Sequence, residues 1–173
     1  LFFGRNRNIT SMTLQDADAI RAMPGVAIVV PRHRTRWRII NKKEFNTTRK
    51  YGVSPEWQPA RQWKIVDGEF FNDMDMDRKR KVVVLGNTPA RKLFGEMDPL
   101  GKKIRVGQVF FEVVGLLETK GLTESGYDPD DRALIPLTTS MSRLFRQTHL
   151  HSIKVVSTNS KSVRQTMEGV TQV

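Results

Sequence analysis

The sequence predicts an α+β fold. Three observations carry this reading. Apolar strand-like runs alternate with helical stripes at both ends of the chain. The middle is a series of β-patterned segments separated by Gly, Pro and Asp turns. The 173 residues, 38% hydrophobic and 27% charged, are enough to bury a sizeable interior. That length suits one domain, or two small lobes sharing a core.

The elements follow in order. Leu1–Gly4 has the pattern of a strand tail, and Arg5–Ser11 is polar and loop-like. Thr13 is placed to cap a helix, with Asp16 three residues on as an acidic variant of the capping box. Ala17, Ile20, Ala22 and Met23 form the apolar stripe of that helix, which Pro24-Gly25 ends. The β-branched run Val26–Val30 completes a β-α-β opening.

The middle offers strands at Arg34–Ile40, Glu44–Val53, Lys81–Leu85, Lys102–Val106 and Val109–Leu117, with Gly107-Gln108 as a hairpin turn. Pro89–Phe94 reads as a short helix, capped by Asn87 or Thr88 and stopped by Gly95. The α/β rhythm then resumes. Arg132–Ile135 reads as a strand, Thr138–Phe145 as a helix and Ile153–Ser157 as a strand. Ser160–Val170 reads as an amphipathic helix with Val163, Met167 and Val170 on one face.

Lys and Arg number 29 against 18 Asp and Glu, a net charge of +11. Nucleic acid or an anionic surface is the first partner such a balance suggests. The excess is concentrated, however. Arg32–Lys50 holds eight basic residues against Glu44 alone. Arg32, Arg34, Arg36 and Arg38 alternate with His33, Thr35, Trp37 and Ile39, so a strand would put the four guanidinium groups on one face and Trp37 and Ile39 on the core side. This is the pattern of a solvated sheet face. It is also the pattern of an anion-binding stripe for phosphate, lipid headgroups or an acidic protein. No helix-turn-helix, zinc-finger or RNP-like pattern accompanies the charge, so the chain is expected to bind no nucleic acid.

Several chemistries are excluded. The absence of cysteine removes disulfides, thiolate metal sites and a Cys nucleophile. The longest apolar runs, such as Val26–Val30 and Val82–Leu85, fall far short of the roughly 20 residues that a membrane helix needs. The chain opens on Leu1 without a signal-peptide pattern, and reads as a piece of a longer protein. Between Gly95 and Gly101-Lys102 stand five residues rather than four, and Lys103 follows where a P-loop has Ser or Thr. Asp73, Asp75 and Asp77 begin like a calcium loop, but Arg78 and Val84 occupy its Gly and Glu positions. They read as a charged turn neutralised by Arg78–Lys81. Asp128, Asp130 and Asp131 read the same way. His149 and His151 would share a strand face but lack a third ligand. No Gly-x-Ser-x-Gly elbow occurs. Catalytic, cofactor-binding and metal residues are therefore expected to be none.

One ordered set of motifs is specific. Gly68-Glu69-Phe70-Phe71 is followed by Asp73, Val82–Gly86, Leu93-Phe94-Gly95, Asp98–Lys102, Ile104, Phe111–Gly115, Gly121 and Ile135-Pro136. Upstream stand Thr13-Leu14 with Asp16, Pro24-Gly25-Val26, and Val53 with Pro55. In order and spacing this set resembles the extracytoplasmic core domain of MacB/FtsX-type ABC transporter permeases, from about Leu1 to Val156.

The resemblance implies a porter-like α/β lobe made from both chain ends, residues 1–33 and 132–173. It implies a β-rich, Sabre-like lobe, residues 34–131, inserted between them. It further implies a noncatalytic domain on the periplasmic or outer face of the bacterial inner membrane, set between two membrane helices. ATP would be hydrolysed on a separate cytoplasmic domain or subunit, and the domain would relay that motion and dock a partner or cargo. A periplasmic adaptor, an outer-membrane channel and a permease dimer are the implied partners, with the isolated fragment mostly monomeric. Arg34, Arg36, Arg38 and Trp57 are the candidate partner-binding residues, by location on the inserted lobe. The alternative function is direct binding of an anionic lipid, lipoprotein or acidic peptide through the basic strand face.

Overall fold

The computed structural model describes residues 2–3, 12–145 and 148–158, and among them the chain forms nine strands. They are β1 (Phe2–Phe3), β2 (Val26–Asn41), β3 (Glu44–Val53), β4 (Ile65–Gly68), β5 (Val82–Leu85), β6 (Lys103–Val106), β7 (Val109–Leu117), β8 (Arg132–Pro136) and β9 (Ser152–Ser157). The helices are α1 (Leu14–Arg21), α2 (Trp57–Arg61), α3 (Asp73–Asp77), α4 (Asn87–Phe94) and α5 (Leu137–Thr139), the last running directly into a π-helical turn at Ser140–Phe145. The α+β, sheet-dominated class expected from the sequence is what forms. The expected loop Arg5–Ser11 and helix Ser160–Val170 lie outside the described residues.

All nine strands join one sheet in the order β1-β9-β2-β3-β8-β5-β7-β4, and β6 bridges β2 and β7. That last pairing closes a ring. From β2 the hydrogen bonds pass through β3, β8, β5, β7 and β6 and return to β2 at Ile39 and Ile40. Two of these pairings, β3 with β8 and β5 with β7, are parallel. Ile39, Val83, Leu85, Ile104, Val106, Phe111 and Val113 share one buried cluster with Leu93 and Phe94 of α4, and Asn41 ties β2 to that helix by donating to the Leu93 carbonyl at 2.9 Å.

β5 is buried along its whole length and faces two cores. Val83 and Leu85 belong to the cluster just described, whereas Val82 and Val84 pack with Val30, Tyr51, Val53, Trp57, Trp63 and Phe71. The unbroken apolar run is the signature of a strand covered on both sides. A third cluster seats Ala17 and Ile20 of α1 on Val29, Ile153 and Val155.

The structure refines several expectations. Val26–Val30 and Arg34–Ile40 are one 16-residue strand, which runs straight through Pro31. At Pro31 the strand pairs with β9 only, since β3 pairing begins at Arg32, so the missing N–H leaves no gap in a two-sided ladder. Residues 33 and 34 thus lie inside β2. The cap of α4 is Gly86 rather than Asn87 or Thr88, and Thr88 instead donates to Asp128 at 2.7 Å. The acidic run at Asp73 is a helix rather than a turn: Asn72 and Asp75 form a reciprocal capping box, and buried Asp75 pairs with Arg80 at 2.8 Å. Thr13 and Asp16 form the expected capping box on α1. The β6–β7 hairpin has the expected two-residue loop with Gly107 at φ +60°, the left-handed value a type II′ turn asks of its first residue.

Candidate functional site

The arginine face of β2 is not uniform. Register pairs Arg34 with Tyr51 and Arg38 with Thr47 of β3. At the Arg38 end the face is solvated, and the guanidinium lies 4.0 Å from the centre of the exposed Phe45 ring. At the Arg32–Arg34 end it meets the second core. There the chain leaves β3, turns through Ser54–Glu56 into α2, and brings Trp57 and Arg61 over the strand. Trp63 follows the left-handed Gln62, which ends that helix. Arg132 enters from the start of β8, which is parallel to β3, and Tyr127 and Pro129 come from the preceding loop.

These segments enclose an open cavity of about 720 Å³. Its cations are Arg32, Arg34, Arg49, Arg61, Lys120 and Arg132, and among the described residues no carboxylate lines it. Rings back most of them. Arg132 lies 4.3 Å from the centre of Trp63, Arg49 4.5 Å from that of Tyr127, and Arg32 5.3 Å from that of Tyr51. Each ring presents its electron-rich face to a guanidinium and restricts its rotation. Further anchors hold two of the groups: the Arg32 Nε donates to Ser152 at 3.0 Å, and the Arg132 Nε to the Pro129 carbonyl.

The nearby acids are turned to other work. Asp130 is buried and accepts the backbone N–H groups of Lys120 and Gly121 at 2.9 and 3.0 Å, fixing the loop that walls the cavity. Asp128 accepts from Thr88 and from the Asp130 N–H, and Asp131 accepts from Asn46. Glu118 pairs with Lys120 at 2.7 Å. Burial and the remaining concentration of charge both bear on the pKa values of Arg32, Arg132 and nearby Lys154. Burial holds Arg32 below the ordinary arginine value, and the neighbouring Arg61 and Arg34 push the same way against Tyr51. Burial likewise lowers Arg132, with Arg61 adding to it and Tyr127 and Tyr51 opposing. Lys154, whose ammonium donates to the Ala60 carbonyl at 2.7 Å, is lowered by burial and then by Arg61 and Arg32.

Of the residues singled out in the sequence, Arg34 and Trp57 both line this cavity. Trp57 is only 3% exposed, so it is first a core residue, and Arg132 lies over its ring at 5.8 Å from the centre. Arg38 lies on the same strand face but outside the cavity. Arg36 sits opposite Arg49 in the β2–β3 register, and its side chain lies outside what is described. Sequence reasoning missed Arg61, Arg132, Lys120 and Tyr127, which reach the site from segments distant along the chain. His149 and His151 precede β9 rather than lying within it, and the ring of buried His33 sits 4.5 Å from that of His151. Among the described residues no group of three or more Asp, Glu or His is arranged to hold a metal, and no helix is long and apolar enough to cross a membrane.

Comparison with known proteins gives a consistent answer. The model of the MacB-like periplasmic core domain matches residues 2–173. The macrolide export ATP-binding/permease protein MacB of Hyphomonas neptunium is 36% identical over 163 residues, covering 94% of this chain and 25% of that protein. The MacB of Rhodospirillum rubrum is 38% identical over 83% of this chain and 22% of its own length. The pyoverdine export ATP-binding/permease protein PvdT of Pseudomonas entomophila is 31% identical over 90% and 24%. The chain thus spans about a quarter of the length of these curated relatives.

Among solved structures, the periplasmic region of MacB from Actinobacillus actinomycetemcomitans superposes with a TM-score of 0.86 at 19% identity, covering 99% of this chain and 79% of that one. The extracellular domain of the transporter YknZ from Gram-positive bacteria gives 0.81 at 19% identity, covering 96% and 86%. At such identities these two speak to the fold alone. The relatives and the family model carry the assignment: the chain belongs to the MacB-like periplasmic core domain family of ABC transporter permeases.

Proposed function

We propose that the chain serves an export permease as a noncatalytic extracytoplasmic module, which relays motion driven by ATP hydrolysis elsewhere in the transporter and docks a partner or cargo outside the membrane. The observation that carries this reading is the family match over residues 2–173, joined to the continuity of β2. If the lobes are 1–33 with 132–173, and 34–131, then a 16-residue strand crosses the first boundary and β8 begins at the second. Paired strands resist bending better than loops, so a displacement at the chain ends would reach the inserted lobe with little loss. The partners on this reading are the ATPase domain or subunit, a second permease copy, and a periplasmic adaptor leading to an outer-membrane channel.

The test is the parent permease with this domain replaced by a short linker. Basal ATP hydrolysis should persist while export is lost. Undiminished export, or ATP turnover by the 173-residue chain alone, would overturn the reading.

A second reading, direct capture of an anionic cargo, is favoured by one feature. Among the described residues, the cavity beside β2 is lined by six cations and no acid. Salt-sensitive binding of anionic cargo to the isolated chain is its expected mark.

A further inference from the structure

We propose that the cavity beside β2 is a binding site for a phosphate group carrying about two negative charges, a phosphomonoester or a diphosphate. This rests on the anionic-cargo reading and narrows it to one chemistry.

The argument starts from where the arginines come from. Arg32 and Arg34 rise from β2, Arg49 from β3, Arg61 from α2 and Arg132 from β8. Five guanidinium groups therefore approach one volume of about 720 Å³ from four elements. A single planar carboxylate is filled by one guanidinium fork. It leaves the other cations facing each other. A tetrahedral phosphate has three terminal oxygens pointing in different directions, each able to accept from a different arginine, and it concentrates nearly two charges on one centre. A diphosphate extends the same chemistry over two centres and remains small for the space.

The cavity is also organised in advance. Trp63 backs Arg132 and Tyr127 backs Arg49, while Arg32 and Arg132 are tethered through Nε to Ser152 and Pro129. Guanidinium groups held this way lose little rotational freedom when a ligand arrives, which is where preorganised sites gain affinity. The rings back the arginines, so they position the cations and leave the anion as the recognised part. Burial, and after it the neighbouring Arg61, hold Arg32 and Arg132 below their ordinary values, and a bound dianion would oppose the Arg61 contribution.

The chemistry could be presented by a soluble phosphate ester or by a lipid headgroup, and the experiment separates the two. The 173-residue chain is titrated by calorimetry with inorganic pyrophosphate at physiological salt. It is then sedimented with phosphatidylcholine vesicles containing phosphatidic acid, whose headgroup is a phosphomonoester. Arg34→Gln and Arg49→Gln are the variants, both at the exposed side of the site, with circular dichroism to check the fold. Arg143→Gln, in a separate depression with Phe110, is the control.

Pyrophosphate should bind in the micromolar range, and each site variant should weaken it about tenfold while the control leaves it unchanged. Vesicle binding that pyrophosphate competes away assigns the source to a lipid headgroup. Pyrophosphate binding without vesicle binding assigns it to a soluble ester. The proposal is overturned if pyrophosphate does not bind, if Arg34→Gln and Arg49→Gln bind it as well as the parent chain does, or if sulfate at equal ionic strength binds equally. Polyglutamate binding without pyrophosphate binding overturns the phosphate assignment and leaves the broader anionic reading standing. If neither anion binds, both fall, while export by the parent permease remains a separate test of the relay.

Discussion

The guanidinium of Arg132 lies 4.3 Å from the centre of the Trp63 ring, and its Nε donates to the carbonyl of Pro129 three residues back. One side chain thus joins the wall of the basic cavity to the aromatic core behind it. Trp63 packs with Trp57, Tyr51 and Val53, so the face of the core that the arginine covers is continuous with the body of the sheet. Charge on this surface is held in place by packing.

That geometry separates arginine from lysine at residue 132. Arg132→Lys keeps the charge, but loses the planar stack on Trp63 and the Nε donor. The two losses together should cost about 1–2 kcal/mol, and lower the melting temperature by about 2–8 °C. Thermal unfolding followed by tryptophan fluorescence checks this directly, because Trp63 reports on its own environment. An unchanged melting temperature would mean that the stack contributes nothing.

Two glycines from the recognisable motifs should behave very differently. A Cβ on Gly86 would stand 2.1 Å from the Asp130 carbonyl oxygen, a backbone atom held by the Asp130 loop. Gly86→Ala should therefore cost at least about 3 kcal/mol. Gly101 meets nothing within 4 Å, but has φ +72°. Gly101→Ala should cost only the left-handed backbone penalty, about 1 kcal/mol. Urea unfolding of the two variants side by side measures both numbers.

Gly95 and Gly101 were legible in the sequence because their cause, a positive φ in a turn, is local, whereas Gly86 answers to the distant Asp130 backbone. The Thr13 cap, the Gly107 hairpin and the bounds of β3 and β7 were legible too, each set by a few neighbouring residues. The merging of two apparent strands into β2 was not legible, because Pro31 normally interrupts a strand. What permits it is the absence of a β3 partner at that residue, a fact of tertiary pairing. The site divides in the same way. Alternation placed Arg34 and Arg38 on one face, but α2 and the Tyr127–Arg132 segment close over only one end of it. Nothing near Arg61 or Arg132 in the chain says that they meet Arg34. The turn from β3 into α2 brings Arg61 there, and the parallel β3–β8 pairing, which joins residues more than 80 positions apart, brings Arg132.

The structure accordingly splits residues that the sequence groups together. Arg34 lines the cavity, whereas Arg38 lies over Phe45 away from it. Arg34→Glu should weaken pyrophosphate binding by at least about tenfold, and Arg38→Glu by no more than about twofold at physiological salt, where charges a Debye length away are screened. Neither should lower the melting temperature much, since both side chains are exposed. Equal losses in the two variants would point to a diffuse field over the whole strand face instead of a site.

The last prediction concerns a cation on the other face of the same hairpin. Lys50 is only 1% exposed, on the side of β3 that carries Asn46 and Thr48. Burial brings its pKa down to about 7, with Asp131 opposing the shift. In the unfolded chain it returns to the ordinary value of 10.5. Between those two values the unfolded state holds a proton that the folded state has released. Stability should therefore rise with pH from about 7 upward, by at most about 1.4 kcal/mol per unit from this one group. Below that window both states are charged, and the folded chain bears the full cost of burying the ammonium. Lys50→Met removes the titrating group and keeps an unbranched side chain one atom shorter. It should raise the melting temperature at pH 7 and flatten its increase toward pH 9.5, relative to the parent chain at the same ionic strength. Parallel melting curves for the two proteins over that range would show that the buried ammonium is not a source of strain at neutral pH.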